Sequence, residues 1–229
     1  MAGGRMGRMA ERDVVKPPRR PDVTLPELRP FDGERLEPSG DYDGVEFDGL
    51  DLTDAAAPGA SFLDCALRRC VLDAAGLKRA RLVDTLLTDV RGVGTALSEA
   101  SLRDVEIRDA RLGGIQLSGA TLQRVLIEGG KIDYLNLRQA TLTDVTFRDC
   151  VLAEPDFGGA RLERVSFDGC DLRDVDLTAA TCKDTDLRGA AWLSLLRGAD
   201  RLRGAVITPG QLLDLAPHLA AELGVRVAD

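Results

Sequence analysis

Residues 100–124 read ASLRD VEIRD ARLGG IQLSG ATLQR when written in groups of five, and this spacing decides the fold. The third residue of each group is large and aliphatic, and the first is small or β-branched. Stepping by five from Tyr42 to Trp192 gives 31 positions, of which 28 hold Leu, Ile, Phe, Tyr or Trp. The column two residues earlier, from Gly40 to Ala190, contains no charged residue. One large and one small inward-facing position therefore recur every five residues.

A period of five matches neither the 3.6 residues of a helical turn nor the two-residue alternation of a flat strand. The chain must therefore turn a corner in each unit, and four units make one square coil. Successive coils would stack at the strand spacing of about 4.8 Å, with the large residues filling the axis. The sequence predicts an all-β solenoid whose core is a column of side chains.

Units such as ARLGG at 110–114, ARLER at 160–164 and CDLRD at 170–174 resemble the A(D/N)LXX pattern of the pentapeptide-repeat family. The resemblance covers residues 40–194. It implies a right-handed quadrilateral β-helix of about eight coils, roughly 37 Å long at strand spacing. Gly92 lacks a core side chain within this region, which predicts either a ligand cleft or a packing irregularity that neighbouring coils relieve.

Residues 1–39 precede the repeat and hold six of the ten prolines together with many arginines. Such a composition cannot bury a core, so we expect roughly the first twenty residues to be disordered. This basic arm could be a nucleic-acid tether or a solubilising tail. Leu25, Leu28, Phe31 and Leu36 are predicted to cover the open N-terminal coil, because an uncapped solenoid exposes unpaired backbone.

Residues 195–229 follow the repeat, and Thr208-Pro-Gly-Gln211 has the features of a helix start, with Thr as N-cap and Gln placed for a capping box. The sequence predicts a short α-helical cap with an apolar stripe. In the quinolone-resistance branch of the family the corresponding region dimerises, which implies a homodimer through this helix. The predicted interface residues are Leu212, Leu213, Leu215, Leu219 and Leu223.

The sequence lacks the components of an enzyme. Its one histidine, His218, lies on the terminal helix, and neither a phosphate-binding glycine loop nor a nucleophile motif is present. Four of the five cysteines fall in the small inward column and Cys182 falls in the large one, so we expect reduced core residues. No catalytic residue, cofactor or metal site is predicted.

The net charge of −8 disfavours direct binding of nucleic acid, because phosphate recognition needs clustered basic residues. With neither a membrane-spanning stretch nor a signal peptide, we expect a soluble cytoplasmic protein. Assigning each unit to one side of the square puts nine acidic residues and five arginines on one side. This predicted partner-binding acidic edge consists of Glu46, Asp48, Asp89, Glu106, Asp109, Glu128, Asp149, Asp168 and Asp186.

Two functions are compatible with these features. The first is a non-enzymatic scaffold whose surface binds a protein partner. The second, implied by the family, is a DNA mimic that modulates DNA gyrase, another topoisomerase or another DNA-binding protein, as in the loop-less quinolone-resistance branch. The charge fits the DNA mimic less well, because B-DNA as long as the predicted solenoid carries about 22 negative charges. The net charge of the whole chain is only −8. Sensitivity of binding to salt would separate them.

Overall fold

The computed structural model of the chain describes residues 15–228. These residues form a parallel β-solenoid of about nine turns with a single C-terminal helix, which confirms the predicted fold class. Its strands are β1 (Arg29–Pro30), β2 (Asp41–Asp43), β3 (Val45–Asp48), β4 (Ser61–Leu63), β5 (Ala66–Arg68), β6 (Arg81–Thr88), β7 (Arg91–Val93), β8 (Ser101–Arg108), β9 (Arg111–Gly113), β10 (Thr121–Glu128), β11 (Lys131–Asp133), β12 (Thr141–Arg148), β13 (Val151–Ala153), β14 (Arg161–Asp168), β15 (Asp171–Asp176), β16 (Thr181–Asp186), β17 (Trp192–Arg197) and β18 (Ala205–Val206).

Strands pair with the strand 20 residues along the chain, as in Leu122 with Leu142 and Val125 with Val145. One sheet has 12 strands and wraps two sides of the square, because β6, β8, β10, β12 and β14 continue through a corner. A second sheet has 6 strands, from β7 at one edge to β17 at the other. Single bridges such as Ala96 to Gln116 close the fourth side.

A left-handed turn residue stands at each corner, directly before the small inward residue. Asp84, Asp104 and Asp144, for example, have φ values of 48°, 53° and 59°. Aspartate tolerates this conformation better than most residues with a side chain, because its short polar group can bond locally. Many other corners hold glycine. The corner requirement therefore explains why so many units end in Asp or Gly.

The large inward residues form one continuous buried column from Phe47 to Leu195. Aromatic rings stack between turns, as Phe147 does on Phe167 with a centroid distance of 4.9 Å. At Gly92 an added Cβ would lie 2.7 Å from Oγ1 of Thr95. That hydroxyl donates to the carbonyl of Leu72. Thr95 therefore fills the space next to Gly92. Of the two predicted alternatives, the structure favours the packing irregularity rather than the ligand cleft.

The repeat register is interrupted before Trp192, contrary to the sequence prediction that it continues to this residue. Asp171 pairs with Trp192 and Leu172 with Leu193, a spacing one residue longer than elsewhere. Leu193 consequently takes the inward position, and the Trp192 side chain is 60% exposed. By β18 the pairing of Thr185 with Ala205 has restored the original spacing.

Both ends of the solenoid are covered. At the N-terminal end β1 pairs with β3, Leu36 is buried, and the ring of Phe31 lies 4.8 Å from that of Phe47. At the C-terminal end a short 3-10 helix (Ala199–Arg201) leads towards helix α1 (Pro209–Glu222). The predicted capping box is present, since Thr208 accepts from the backbone of Gln211 and Gln211 accepts from the backbone of Thr208. Within the described residues, no helix has the length and apolarity required to cross a membrane.

Candidate binding surfaces

The predicted acidic edge lies on the outer face of the 12-stranded sheet and on the corner that follows it. One outward column of this face runs Asp48, Arg68, Thr88, Arg108, Glu128, Arg148, Asp168 and Arg188, one residue per turn. Acidic and basic residues alternate along most of it. This column holds four arginines and three acidic residues, so its charge is mixed. The acidic excess of the edge comes from the corner and from Glu46, Glu106 and Asp186.

Most of the predicted edge carboxylates are paired with arginines from the same face. Glu128 is bonded by Arg108 from the turn before it and by Arg148, at 3.2 Å, from the turn after it. Asp186 is bonded by Arg188 at 2.6 Å, and the hydrogen bonds from this residue hold the pKa of Asp186 below its usual value despite partial burial. The other paired residues of the edge are Glu46, Asp48 and Glu106.

Three corner carboxylates of the predicted edge have no ion-pair partner among residues 15–228. Asp89, Asp109 and Asp149 follow one another along a single corner and are all exposed. We call this row of turn residues the bare corner; it consists of Arg69, Asp89, Asp109, Gly129, Asp149 and Gly169. Unpaired carboxylates on one line are the part of the edge best suited to contact a basic partner.

The second surface is apolar and lies at the C-terminal end. Of the ten exposed large hydrophobic residues within 15–228, seven come after residue 191. We use the name C-terminal patch for those on β17, on α1 and at the C-cap of α1: Trp192, Leu196, Leu212, Leu213 and Leu223.

The residues of the predicted dimer stripe differ in exposure. Leu215 is only 1% exposed and Leu219 packs against the solenoid core, so both contribute to the cap. A helix that closes a solenoid must turn apolar residues inward. The burial of Leu215 corrects its assignment to an intermolecular interface, whereas Leu219 is only half-buried. Leu212, Leu213 and Leu223 remain on the outside.

The third surface is one corner of the solenoid. The N-terminal arm, residues 15–31, lies lengthwise along it. The backbone N–H of Lys16 donates to Asp184 at 3.3 Å, and that of Arg19 donates to Asp144 at 3.1 Å. Further along, the N–H of Arg29 donates to the carbonyl of Gly44 at 3.0 Å. These partners occupy the same corner in different turns, so the arm runs along the rod from its C-terminal towards its N-terminal end.

This course corrects the prediction that roughly the first twenty residues are disordered, as far as residues 15–20 are concerned; residues 1–14 lie outside the described part. The prediction followed from composition, which shows that the arm cannot form a core of its own. It does not show whether the arm can pack on a core that already exists.

Burial confirms the course of the arm. We call the corner beneath it the covered corner; its residues are Asp64, Asp84, Asp104, Arg124, Asp144, Arg164 and Asp184. None of these residues is exposed, whereas most turn residues at the other three corners are. Asp144 is only 3% exposed and is held by Arg164, whose Nε lies 2.6 Å from Oδ1. Burial would raise the pKa of Asp144, but hydrogen bonds from Arg164 and the Arg19 backbone lower it overall.

The remaining reactive groups do not converge. Within residues 15–228 no three His, Cys, Asp or Glu side chains are grouped so that they could hold a metal ion. All five cysteines are free thiols, and four of them are buried. Burial raises the pKa of Cys65, Cys70 and Cys182, which keeps these thiols protonated and unreactive at neutral pH.

Two family models match the repeats. The model described as pentapeptide repeat region matches residues 60–137, and the one described as pentapeptide repeats (8 copies) matches residues 133–169 and 156–190. The chain belongs to the pentapeptide-repeat family. Neither description is that of an enzyme family, and no curated protein matches this pentapeptide-repeat protein.

Solved structures of other pentapeptide-repeat proteins are similar to it at low identity. One is HetL, involved in heterocyst differentiation regulation, from the cyanobacterium Nostoc sp. strain PCC 7120; it is 21% identical with a TM-score of 0.40, over 78% of this chain and 93% of HetL. Another is full-length QnrB1, a plasmid-mediated fluoroquinolone resistance protein; it is 16% identical with a TM-score of 0.36, over 83% of this chain and 94% of QnrB1.

Sequence reasoning missed two features of these surfaces. Trp192 was placed in the core column because it falls on the five-residue spacing, and the neighbouring pair Ala190-Ala191 was the available sign of an extra residue. The docked arm was missed because its contacts join residues more than 100 positions apart. Its prolines did indicate an extended conformation.

Proposed function

We propose that this pentapeptide-repeat protein is a non-enzymatic cytoplasmic scaffold that binds a protein partner, and that two copies join through their C-terminal ends. The C-terminal patch is the observation that carries the proposal. Large apolar side chains concentrated at one end of an otherwise charged rod are typical of an interaction site, because soluble monomers rarely expose contiguous apolar surface. The rest of the rod carries the alternating charges of an ordinary solvated surface.

The position of the patch favours a two-fold contact. β17 is an edge strand of the six-stranded sheet, and Trp192 and Leu196 project from it. Leu213 of the adjacent helix is 75% exposed. A two-fold contact makes a patch complementary to itself and would place two rods end to end. Trp and Leu side chains buried in this way would supply the apolar centre that a stable interface requires.

Sedimentation of matched variants tests the dimer. Leu213→Glu places a charge in the patch without touching the core, and we expect it to convert a dimeric parent into a folded monomer. Val93→Glu is the matched control, because Val93 is 68% exposed and lies on β7, at the opposite edge of the same sheet from β17. A monomeric parent, or loss of the dimer in both variants, would contradict the proposal.

The same variants test partner binding. Proteins from a cell extract that bind the parent and Val93→Glu but not Leu213→Glu require either the patch itself or the dimer that it forms. Such binding should persist in high salt, because apolar contacts are not screened. A set of bound proteins that is identical for all three chains would argue against a function for this end.

A DNA mimic that modulates DNA gyrase, another topoisomerase or another DNA-binding protein is the second candidate, favoured by the unpaired carboxylates of the bare corner. Paired edge carboxylates weaken it, since Arg68, Arg108, Arg148 and Arg188 cancel much of the charge a DNA-binding surface would meet. Inhibition of gyrase supercoiling by the parent, relieved by salt and lost in a variant with Asp89, Asp109 and Asp149 all changed to Asn, would support it. Equal behaviour of parent and variant would remove it.

A further inference from the structure

We propose that the covered corner is a docking channel for an extended, proline-spaced basic peptide of a partner protein, and that the arm occupies this channel in the free chain. The inference goes beyond the proposed scaffold and does not depend on the C-terminal patch. Its basis is the manner in which residues 15–31 lie on the solenoid.

The spacing of the arm matches the spacing of the turns. Lys16 and Arg19 are three residues apart, and their partners Asp184 and Asp144 are two turns apart. Three residues of polyproline II helix rise about 9.3 Å. Two turns of a solenoid at strand spacing measure about 9.6 Å. One turn of a polyproline helix therefore presents a backbone N–H to every second turn of the rod.

The burial pattern of the first part of the arm has the same period. Val15, Pro18 and Pro21 are partly buried, and the residues between them are exposed. A three-residue period is that of polyproline II, in which every third side chain lies on the same face. The match ends after Pro21, where Val23 and Leu25 are partly buried at a spacing of two. The ten residues from Arg19 to Arg29 cover five turns and must rise less steeply.

The channel has the chemistry to select such a peptide. It contains five aspartates and two arginines, and the arginines pair with Asp104 and Asp144, so a net of three negative charges favours a basic ligand. Its outward-facing neighbours Val83, Leu126, Thr146 and Ser166 are buried although they lie outside the core column. Apolar and small groups beneath carboxylates suit a segment that alternates proline with Lys or Arg. Pre-formed polyproline segments bind with little loss of conformational entropy, which is why such grooves are common recognition sites.

The arm is held in a way that permits exchange. Residues 15–28 join neither sheet, and the prolines among them have no N–H to donate. Between Lys16 and Arg19 only two backbone hydrogen bonds attach it to the rod, and both go to side chains. Segments with so few bonds open locally at low free-energy cost. A peptide of the same chemistry can then replace the arm, although the tethered arm competes at an effective concentration on the order of millimolar.

Trypsin offers a direct test on the unmodified chain. Arg19–Arg20 is the bond within residues 15–30 that trypsin can cleave, since Lys16, Arg20 and Arg29 all precede proline. Docking should slow this cleavage relative to a free peptide of residues 15–28. The probe is the same peptide carrying Arg19→Gln, which keeps both N–H donors and resists trypsin. In excess, it should displace the arm and accelerate cleavage at Arg19–Arg20 at least about fivefold.

The control peptide carries Lys16→Pro and Arg19→Pro, which preserve the polyproline conformation and remove both donors. It should leave the cleavage rate unchanged.

A full-length chain with these two substitutions should in turn bind the fluorescent Arg19→Gln probe at least tenfold more tightly than the parent, because its own arm no longer competes. A second full-length control with Lys16→Gln and Arg19→Gln removes the charges and keeps the donors, and it should bind the probe more weakly than the proline variant.

Three results would overturn the inference. The first is cleavage at Arg19–Arg20 as fast in the chain as in the free peptide. The second is acceleration by the control peptide equal to that by the probe, which would show a non-specific effect of charge. The third is failure of the proline variant to bind the probe more tightly than the parent does.

Discussion

The covered corner and the bare corner are built alike and behave differently. Asp84 and Asp89 stand on successive corners with φ values of 48° and 53°, and both precede a small inward residue. Yet the covered corner holds the partly buried ion pairs of Arg124 with Asp104 and of Arg164 with Asp144. The bare corner presents Asp89, Asp109 and Asp149 to solvent without a partner among the described residues.

The difference comes from a segment outside the repeat. A solenoid generates equivalent positions in every turn, so its corners start as copies of one another. The arm makes one of them distinct by lying on it, excluding water and donating two hydrogen bonds. In this molecule the repeat supplies the frame, while the non-repeating residues at either end create the surfaces that can be specific.

The largest expected effect concerns the core. Its apolar packing should be equivalent beneath the covered corner and the bare corner. Leu122 is 0% exposed on the side before the covered corner, and Ile127 is 3% exposed on the side before the bare corner. Leu122→Asp and Ile127→Asp should each destabilise the fold by about 4–5 kcal/mol or more, because an unpaired charge is placed in an apolar column shared with adjacent turns. Thermal unfolding followed by circular dichroism measures this.

Gln123→Asp is the control for that experiment, since Gln123 is the exposed neighbour of Leu122 on the same strand. It should unfold as the parent does. A melt of Leu122→Asp that also matches the parent would show that the register assigned to the core is wrong, and unequal melts for Leu122→Asp and Ile127→Asp would show that the two sides are not equivalent.

A smaller effect should distinguish the two corners themselves. Arg164→Ala leaves Asp144 buried with the Arg19 backbone as its remaining donor, and should cost about 3 kcal/mol. Arg69→Ala removes a pair with Asp48 whose side chains are 63% and 42% exposed, and should cost about 0–1 kcal/mol. Denaturant titration of both variants gives the two values. Equal costs would mean that the arm does not shield the covered corner from water.

The solenoid itself could be predicted from the sequence, because its core positions are local in the repeat. A large residue such as Leu102 and a small one such as Ala100 recur in each unit, and only a chain that turns regularly can bury both columns. The helix start at Thr208 was equally predictable, since capping depends on residues three positions apart. In each case the deciding contacts are near in sequence or repeated many times.

The surfaces were less predictable, because single and distant contacts decide them. Nothing in the repeat indicates that Arg19 meets Asp144, and composition alone gave the wrong outcome for residues 15–20. The direction of Leu215 depends on how α1 sits on the last turn, where the amide of Gln211 donates to the carbonyl of Leu187 at 2.8 Å. An apolar stripe shows that a helix buries a face; it does not show against what.

The smallest expected effect tests whether the covered corner perturbs a charge that carries no ion pair. Burial, together with the nearby carboxylates of Asp104 and Asp64, raises the pKa of Asp84. A folded-state pKa above the unfolded value means that ionised Asp84 opposes folding at every pH above that folded pKa. Asp84→Asn should therefore stabilise the protein at pH 7, by about 0.5 kcal/mol or less. The gain should disappear as the pH falls through the folded pKa, since Asp84 of the parent then becomes neutral as well. Asp89→Asn on the bare corner should change stability little at either pH. Denaturant titrations of the three chains at pH 7 and near pH 4 measure the difference, and a stabilisation by Asp84→Asn that is the same at both pH values would show that its cause is not the charge.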